Sequence, residues 1–419
     1  MRDLEIESLA FGGEAVGRLD GKVVFVPFAA PGDRVRVRIL QETASFCRAE
    51  LLEVLQAGPG RRPPPCPYFG RCGGCQWQHL EYPRQMEQKQ SILRGALAAL
   101  LPVDAIEPLE AAPRELGYRR RVRLRWRAGG GGRDGLELGY QRWRSHELLD
   151  VTSCPLLEDP LQRGVEACRE ALSGLTGGAG TLVALVGVGG EVQISLRIDH
   201  GDPGWVGRVT RQPPGPPVVG GLVQSGRQQR ASFGVAHLEL PVVDGRPLRG
   251  TAATFVQASV EGERALRRTV LEWSAPAGRR VLELHAGIGT FTRELAARAS
   301  ELTAVELSSE ALALLRESCA GLPVRVQAGD AAAVARELGR NGERFEVIVL
   351  DPPREGSPRL AEAVAALEAR RVVYVSCDPM TLARDLRSWR GHGWELRRAV
   401  AIDVMPQSYH IETVALLER

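Results

Sequence analysis

The sequence predicts an α/β protein: a doubly wound parallel sheet at the carboxyl end, preceded by a small β-barrel and a central α+β domain. Three observations predict this. An apolar run at 281–284 leads through a glycine turn into a helical stretch at 293–299, the opening unit of a doubly wound sheet. Further strand-sized apolar runs follow at 302–305, 324–327, 347–350 and 371–375. Near their carboxyl ends stand Glu306, Asp330, Asp351 and Cys377, where open α/β sheets gather their ligands. Finally, five short strands at 4–10, 14–19, 23–27, 34–40 and 46–55 are separated by Gly12-Gly13, Asp20-Gly21 and Pro31-Gly32-Asp33, which are turn signals.

A chain of 419 residues is too long for one ordinary domain, and the pattern divides it at 1–58, 59–250 and 251–419. A hydrophobic fraction of 44% beside 25% charge describes a soluble globular protein with ample core. No apolar run is long enough to span a membrane, and the first residues lack the apolar centre of a signal peptide, so a cytoplasmic location is expected. Nothing in the sequence calls for an obligate protein partner. The net charge is only +3, yet Lys22 and Lys89 are the two lysines and every other cation is arginine. Arginine clustering is therefore more informative than arginine content. Eight cysteines in such a compartment point to metal ligands or catalysts, not disulfides.

Five short strands in the first domain fit an OB-like barrel, a shape that often grips RNA. The stretch from Gly12 to Arg18, with Val24-Phe25-Val26-Pro27 and Pro31-Gly32-Asp33, resembles the TRAM domain of RNA-modifying enzymes. That resemblance implies RNA contact; a barrel serving only as a lid is the alternative.

Beyond Pro63-Pro64-Pro65, Cys66, Cys72 and Cys75 follow on a glycine-rich loop, where Gly73 and Gly74 let the backbone wrap closely. Cys154, before Pro155, is the natural fourth ligand. Zinc and an iron–sulfur cluster both use four thiolates, although the paired knuckles usual in zinc ribbons are absent. Cys47, Cys168 and Cys319 stand singly in apolar or helical settings and read as structural. Between the third and fourth cysteines, Arg119 to Arg127 alternates arginine with Val122, Leu124 and Trp126, and Tyr140 to His146 is again basic and aromatic. Cations interleaved with rings suit phosphate contact and base stacking; the solvated face of an antiparallel sheet is the bland alternative. Residues 81–101 are helical by periodicity, and the stretch 81–112 is expected to pack on the catalytic domain. Residues 156–250 carry no motif.

In the third domain Gly287 and Gly289 permit close backbone approach to a ligand. The third glycine of the dinucleotide fingerprint is missing, so a pyrophosphate is not implied. Glu306 is placed for a ribose diol, and Asp330 for an adenine amino group. Together these favour S-adenosylmethionine over NAD. After the fourth strand, Asp351-Pro352-Pro353-Arg354 puts an acid and an arginine where amine methyltransferases carry asparagine and an aromatic. The next strand delivers Cys377, a nucleophile in waiting if not simply a buried structural thiol. That pairing suggests attack on a ring carbon. A final strand is expected to place His410 and Glu412 on one face.

Taken together, the TRAM-like start, Cys66/Cys72/Cys75/Cys154, Phe255-Val256-Gln257, the glycine turn, Asp351-Pro352-Pro353-Arg354, Ser376-Cys377 and His410-Ile411-Glu412 resemble the RNA 5-methyluridine methyltransferase family. They are similar to its iron–sulfur branch acting on large-subunit ribosomal RNA. The resemblance implies that Cys377 is the nucleophile and Glu412 the proton-abstracting base. It also implies that Gln257, Glu306 and Asp351 contact S-adenosylmethionine or uracil, that His285, Gly287, Gly289, Thr290 and Asp330 complete the cofactor site, and that the four cysteines hold a 4Fe-4S cluster. The chain departs from the family pattern at His285 and Ala286, at Thr290 and at Asp378. The competing expectations are the same reaction on the T-loop of tRNA, or a non-catalytic RNA-binding factor. A cytosine-C5 enzyme is disfavoured because no Pro-Cys pair follows Asp351.

Overall fold

The structure is a computed structural model, and it describes all residues except 130, 133–134, 203, 227–228 and 242–246. Strands β1 (Arg2–Leu9), β2 (Ala15–Leu19), β3 (Lys22–Val26), β4 (Arg34–Glu42) and β5 (Phe46–Gln56) close into a barrel in the order β1-β2-β3-β5-β4. Alternation drives the closure: Leu4, Ile6, Val24, Val26, Val35 and Val37 point inward and are buried, while their neighbours face out. Trp77 and Leu80, just past the third cysteine, belong to this same core and seal the barrel against the rest of the chain.

Helix α1 (Tyr82–Leu97) follows, shorter than the expected 81–101. The central domain then builds a sheet from β6 (Arg121–Ala128), β7 (Leu136–Gln141), β8 (Leu148–Asp150), β9 (Gly178–Val186), β10 (Val192–His200), β11 (Val218–Ser225) and β12 (Gln229–Gly234), in the order β12-β11-β10-β9-β6-β7-β8. Helices α2 (Asp159–Leu172) and α3 (Trp205–Arg211) pack on it, and a two-stranded sheet of β13 (Leu238–Leu240) and β14 (Leu248–Gly250) ends the domain.

Strand β6 has the one apolar and one basic face that its alternation predicts: Val122, Leu124 and Trp126 are buried, while Arg123 and Arg127 are exposed. Tyr118 and Trp126 are buried, so neither ring can stack on a base. Arg120 lies inside, ion-paired with Glu263; Arg125 pairs with Asp199 at 3.4 Å and donates to Thr181 Oγ1 at 2.9 Å, and Arg127 Nε reaches Glu137 at 2.6 Å.

The third domain is a seven-stranded sheet of β15 (Arg280–Leu284), β16 (Glu301–Glu306), β17 (Val324–Ala328), β18 (Val347–Leu350), β19 (Arg371–Ser376), β20 (Glu395–Ile402) and β21 (Glu412–Glu418), ordered β17-β16-β15-β18-β19-β21-β20. The first five are parallel, and β21 runs antiparallel to both of its neighbours. Every residue of β18 is buried, as a strand covered on both faces must be. One face is covered by α4 (Val260–Ser274), α5 (Thr292–Ala296) and α6 (Ser309–Ser318). The other carries α7 (Ala331–Arg340), α8 (Leu360–Ala363) and α9 (Pro379–Gly391), joined by Leu93 and Leu97 of α1. Helix α5 is shorter than the expected 293–299. The last strand begins only at Glu412, so His410 lies outside it and does not share a strand face with Glu412. The reason is that Ile402, at the end of β20, already pairs with Glu412, and the connection before it finds its partners elsewhere.

Candidate active site

Strand order reverses between β15 and β18, and such a switch point opens a crevice at the carboxyl ends of the strands. The glycine turn fills one side of it. His285, Gly287 and Gly289 all have positive φ, at 62°, 59° and 98°. A Cβ on Gly289 would come within 3.0 Å of Leu315 Cδ1, so glycine there serves both conformation and close packing. Glu306 Oε2 accepts the Gly287 amide at 2.8 Å, while Oε1 accepts the amides of Leu307 at 2.9 Å and Ser308 at 2.7 Å. The carboxylate at the end of β16 thus locks the turn at the end of β15. Thr290 is half-buried at the far end of that turn, and His285 Nε2 lies 3.3 Å from Ser357 Oγ. Val256 packs with Ile288 of the turn, bringing the buried Gln257 to its edge; the Gln257 carbonyl accepts Arg120 Nε at 3.0 Å. Asp330 is exposed and caps α7, accepting the Ala333 amide at 2.9 Å.

Across the crevice the pairing of β19 with β21 brings Cys377 and Glu412 to the same end of the sheet. The ladder pairs Arg371 with Glu418 and ends at Ser376 opposite Thr413; Cys377 follows just past it on one strand, Glu412 opens the other, and the Glu412 charge is near enough to raise the Cys377 thiol. Burial pushes the Cys377 thiol up to about 12, Glu412 adds to that, and Arg354 opposes it. Asp378, one of the departures from the family pattern, already accepts the Met380 and Thr381 amides that open α9, both at 2.9 Å. Burial raises Glu412 to about 8, helped by Asp351 and opposed by Arg354 and Lys89. Burial raises Asp351 to about 7 and lowers His410 to about 3.

Two features here escaped the sequence reading. Glu283, inside β15, is fully enclosed, and neither carboxylate oxygen has a hydrogen-bond partner among the described residues. Burial, then the charges of Asp351 and Glu306, hold it at about 8, with Thr292 opposing. An acid within an otherwise apolar strand was the available signal. Lys89 and Asp403 form a wholly buried ion pair at 2.7 Å. A rare lysine in an arginine-rich helix was the hint there.

Cys66, Cys72, Cys75 and Cys154 line one largely enclosed pocket together with Arg119, Tyr140 and Leu156. Burial raises the thiols of Cys72 to about 11 and Cys75 to about 12, and Cys154 lies near enough to raise both further. Among the described residues no three His, Cys, Asp or Glu side chains form a group able to hold a single metal ion.

Two family models match parts of the chain. The TRAM domain matches residues 2–52, and the family described as conserved hypothetical protein 95 matches residues 261–390. A 23S rRNA (uracil(1939)-C(5))-methyltransferase RlmD from Pseudomonas putida is 34% identical over 436 residues, covering 99% of this chain and 93% of that protein. The protein of the same name from Chromohalobacter salexigens is 35% identical, covering 99% and 89%. An uncharacterized RNA methyltransferase from Aquifex aeolicus is 31% identical, covering 99% and 98%. Among solved structures, Pyrococcus abyssi tRNA (uracil-54, C5)-methyltransferase in complex with S-adenosyl-L-homocysteine superposes with a TM-score of 0.75 over 99% of this chain and 100% of that one. At 22% identity that likeness establishes the fold.

Proposed function

The chain belongs to the RNA uracil-C5 methyltransferase family, and from that premise we propose that it methylates C5 of a uridine in large-subunit ribosomal RNA, using S-adenosylmethionine. The relatives named for 23S rRNA are 34% and 35% identical to the chain, against 22% for the tRNA enzyme, which favours ribosomal RNA over the T-loop of tRNA. In this reading residues 1–58 grip RNA, residues 59–250 carry the cysteine site and further RNA contacts, and residues 251–419 perform the reaction.

One observation supports the chemistry: Cys377, just past the end of β19, and Glu412, the first residue of β21, come to the same end of the sheet, near enough for the Glu412 charge to raise the thiol. C5 of uracil is a poor nucleophile. Addition of the Cys377 sulfur to C6 moves the ring electrons toward O4 and makes C5 an enolate carbon. When bound in the crevice, S-adenosylmethionine supplies an electrophilic methyl group. Glu412 then takes the C5 proton, the C5–C6 double bond re-forms, and the Cys377 sulfur leaves. Asp351 holds the uracil edge, and Arg354 favours the thiolate. Gly287, Gly289 and Glu306 form the backbone cradle for the cofactor, with Gln257, His285, Thr290 and Asp330 around it. The uridine has to leave its stack to enter this crevice.

The donor set and the shared pocket fit a 4Fe-4S cluster on Cys66, Cys72, Cys75 and Cys154, each thiolate binding its own iron. Such a cluster would tie the 66–75 loop to the central sheet.

The test is mass mapping of methylated uridines in total RNA from cells with and without the protein, paired with trapping on RNA carrying 5-fluorouridine. A missing 5-methyluridine in 23S rRNA and a crosslink through Cys377 are expected. Wild-type protein that forms no crosslink, or a C377A variant that methylates at normal speed, overturns the assignment.

A further inference from the structure

The connection from β20 to β21, which delivers Glu412, is held almost entirely by residues from outside its own domain. Lys89 Nζ donates to Asp403 Oδ1 at 2.7 Å and to the Met405 carbonyl at 3.1 Å. The Gln407 amide donates to Gln85 Oε1 at 2.8 Å, and Gln85 Nε2 returns a bond to Gln407 Oε1 at 3.0 Å. The Gln407 carbonyl accepts the Gln76 and Trp77 amides at 3.1 and 3.0 Å, and Tyr118 donates to the Pro406 carbonyl at 3.0 Å. The barrel takes part as well. Trp77 Nε1 donates to the Gly13 carbonyl at 3.2 Å, and the rings of Phe11 and Tyr409 meet edge to face at 5.2 Å.

Two features of this junction are costly unless they do something. Gln407 sits at φ 70°, a conformation that a residue with a side chain keeps only where its surroundings over-determine it. Lys89 and Asp403 are both fully buried, and a buried ion pair is a weak source of stability compared with apolar packing of the same volume. What the pair and the glutamine latch do provide is geometry. They fix a connection that has no sheet ladder of its own and that runs straight into Glu412.

We propose that Gln85, Lys89, Asp403 and Gln407 form a buried strut that holds Glu412 in place near Cys377, making Gln85 and Lys89 positioning residues for removal of the C5 proton. The proposal rests on Glu412 being the base. It makes the segment after the third cysteine a functional part of the active site: Gln76, beside Cys75, grips the same carbonyl of Gln407 that Trp77 grips. Misplacing a catalytic group by about 1 Å can cost on the order of 10²-fold in rate without any change in substrate contacts.

The experiment uses the full-length protein and two independent variants: Gln85→Met, which breaks the latch, and Lys89→Met with Asp403→Asn, which removes both buried charges together. Circular dichroism melting and titration with S-adenosylmethionine establish folding for each, so that if one variant unfolds the other decides. The expected result is a KM for RNA and an affinity for S-adenosylmethionine within about twofold of wild type, with kcat down by roughly 10–10²-fold. A covalent Cys377–RNA adduct should also accumulate on unmodified target RNA, because the step after methyl transfer is the one that slows. Trapping on 5-fluorouridine RNA, which stops before that step, should keep its wild-type rate. Unchanged kcat in the folded variants overturns the strut, as does loss of cofactor affinity and kcat together without adduct. Should wild type itself give no 5-fluorouridine adduct, the uracil-C5 reading fails and takes this role with it.

Discussion

Cys377 and Glu412 come to the same end of the sheet because β21 runs antiparallel to both β19 and β20. A parallel strand beside β19 would present its carboxyl end at the crevice, followed by chain leaving the sheet. An antiparallel one presents its amino end, so the first residue of β21 arrives beside the last turn of β19. A thiol just past the carboxyl end of one strand and a carboxyl at the amino end of the next are thereby brought close. The same arrangement places Asp351, at the end of β18, close enough to raise both groups.

The pH dependence of kcat follows from the raised Glu412. A base works only when unprotonated, and this carboxyl holds its proton up to about 8. The rate should therefore climb as pH rises toward 8 and level off above it. Glu412→Gln should lose about 10²–10⁴-fold in kcat and accumulate the covalent RNA adduct. A rate profile flat from pH 6 to about 9 in wild type, measured by methyl transfer to RNA, would sink the assignment.

Arg354 and Asp351 act on the thiol with opposite signs: the guanidinium lowers it and the carboxylate raises it. Arg354→Leu should slow alkylation of Cys377 by iodoacetamide at pH 8, and Asp351→Asn should speed it, both followed by mass spectrometry of the Cys377 peptide. Alkylation rates that move in the same direction in the two variants would show that access, not charge, controls the thiol.

The parts of this protein that were readable from sequence are those written in local pattern. β18 and β19 announce themselves as short apolar runs ending in Asp351 and Cys377, and the glycine turn follows β15 without a gap. What pattern cannot carry is pairing over distance. Gln85 and Gln407 are 322 residues apart, and nothing near either one names the other. Trp126 looks like a stacking platform in a basic stretch, yet its ring packs 6.0 Å from that of Trp205, because the covering helix comes from elsewhere in the chain. His410 was assigned to a strand by its neighbours, although the ladder begins at Glu412. Glu283 obeys the rule for a buried strand everywhere except in its own charge, which makes sense only once the crevice is known.

The cysteine pocket predicts a metal content. Protein purified without oxygen should carry about four irons per chain with matching acid-labile sulfide, and Cys154→Ser should lose them along with part of its thermal stability. One zinc per chain in place of iron, measured by elemental analysis, would replace the cluster with a single-ion site.

Glu283 offers a stability test whose sign is fixed. Its folded-state pKa lies near 8, above the ordinary carboxylate value of 4.5, so the stability it contributes is fully present below about 4.5 and is lost as pH rises through 8. Above pH 8 the protein holds a buried carboxylate without a partner, close to Asp351 and Glu306. Glu283→Gln should therefore raise the melting temperature at pH 9, by about 2–4 °C for each kcal/mol relieved, and leave it nearly unchanged at pH 5. The same buried charge is suited to a cationic ligand, and S-adenosylmethionine carries a sulfonium and an ammonium. The variant should accordingly bind it more weakly, by about tenfold for each 1.4 kcal/mol of lost charge-assisted interaction. Calorimetric titration at pH 8 reads that loss directly. Equal affinity in variant and wild type, together with equal melting at pH 9, would make Glu283 a passive occupant of its strand.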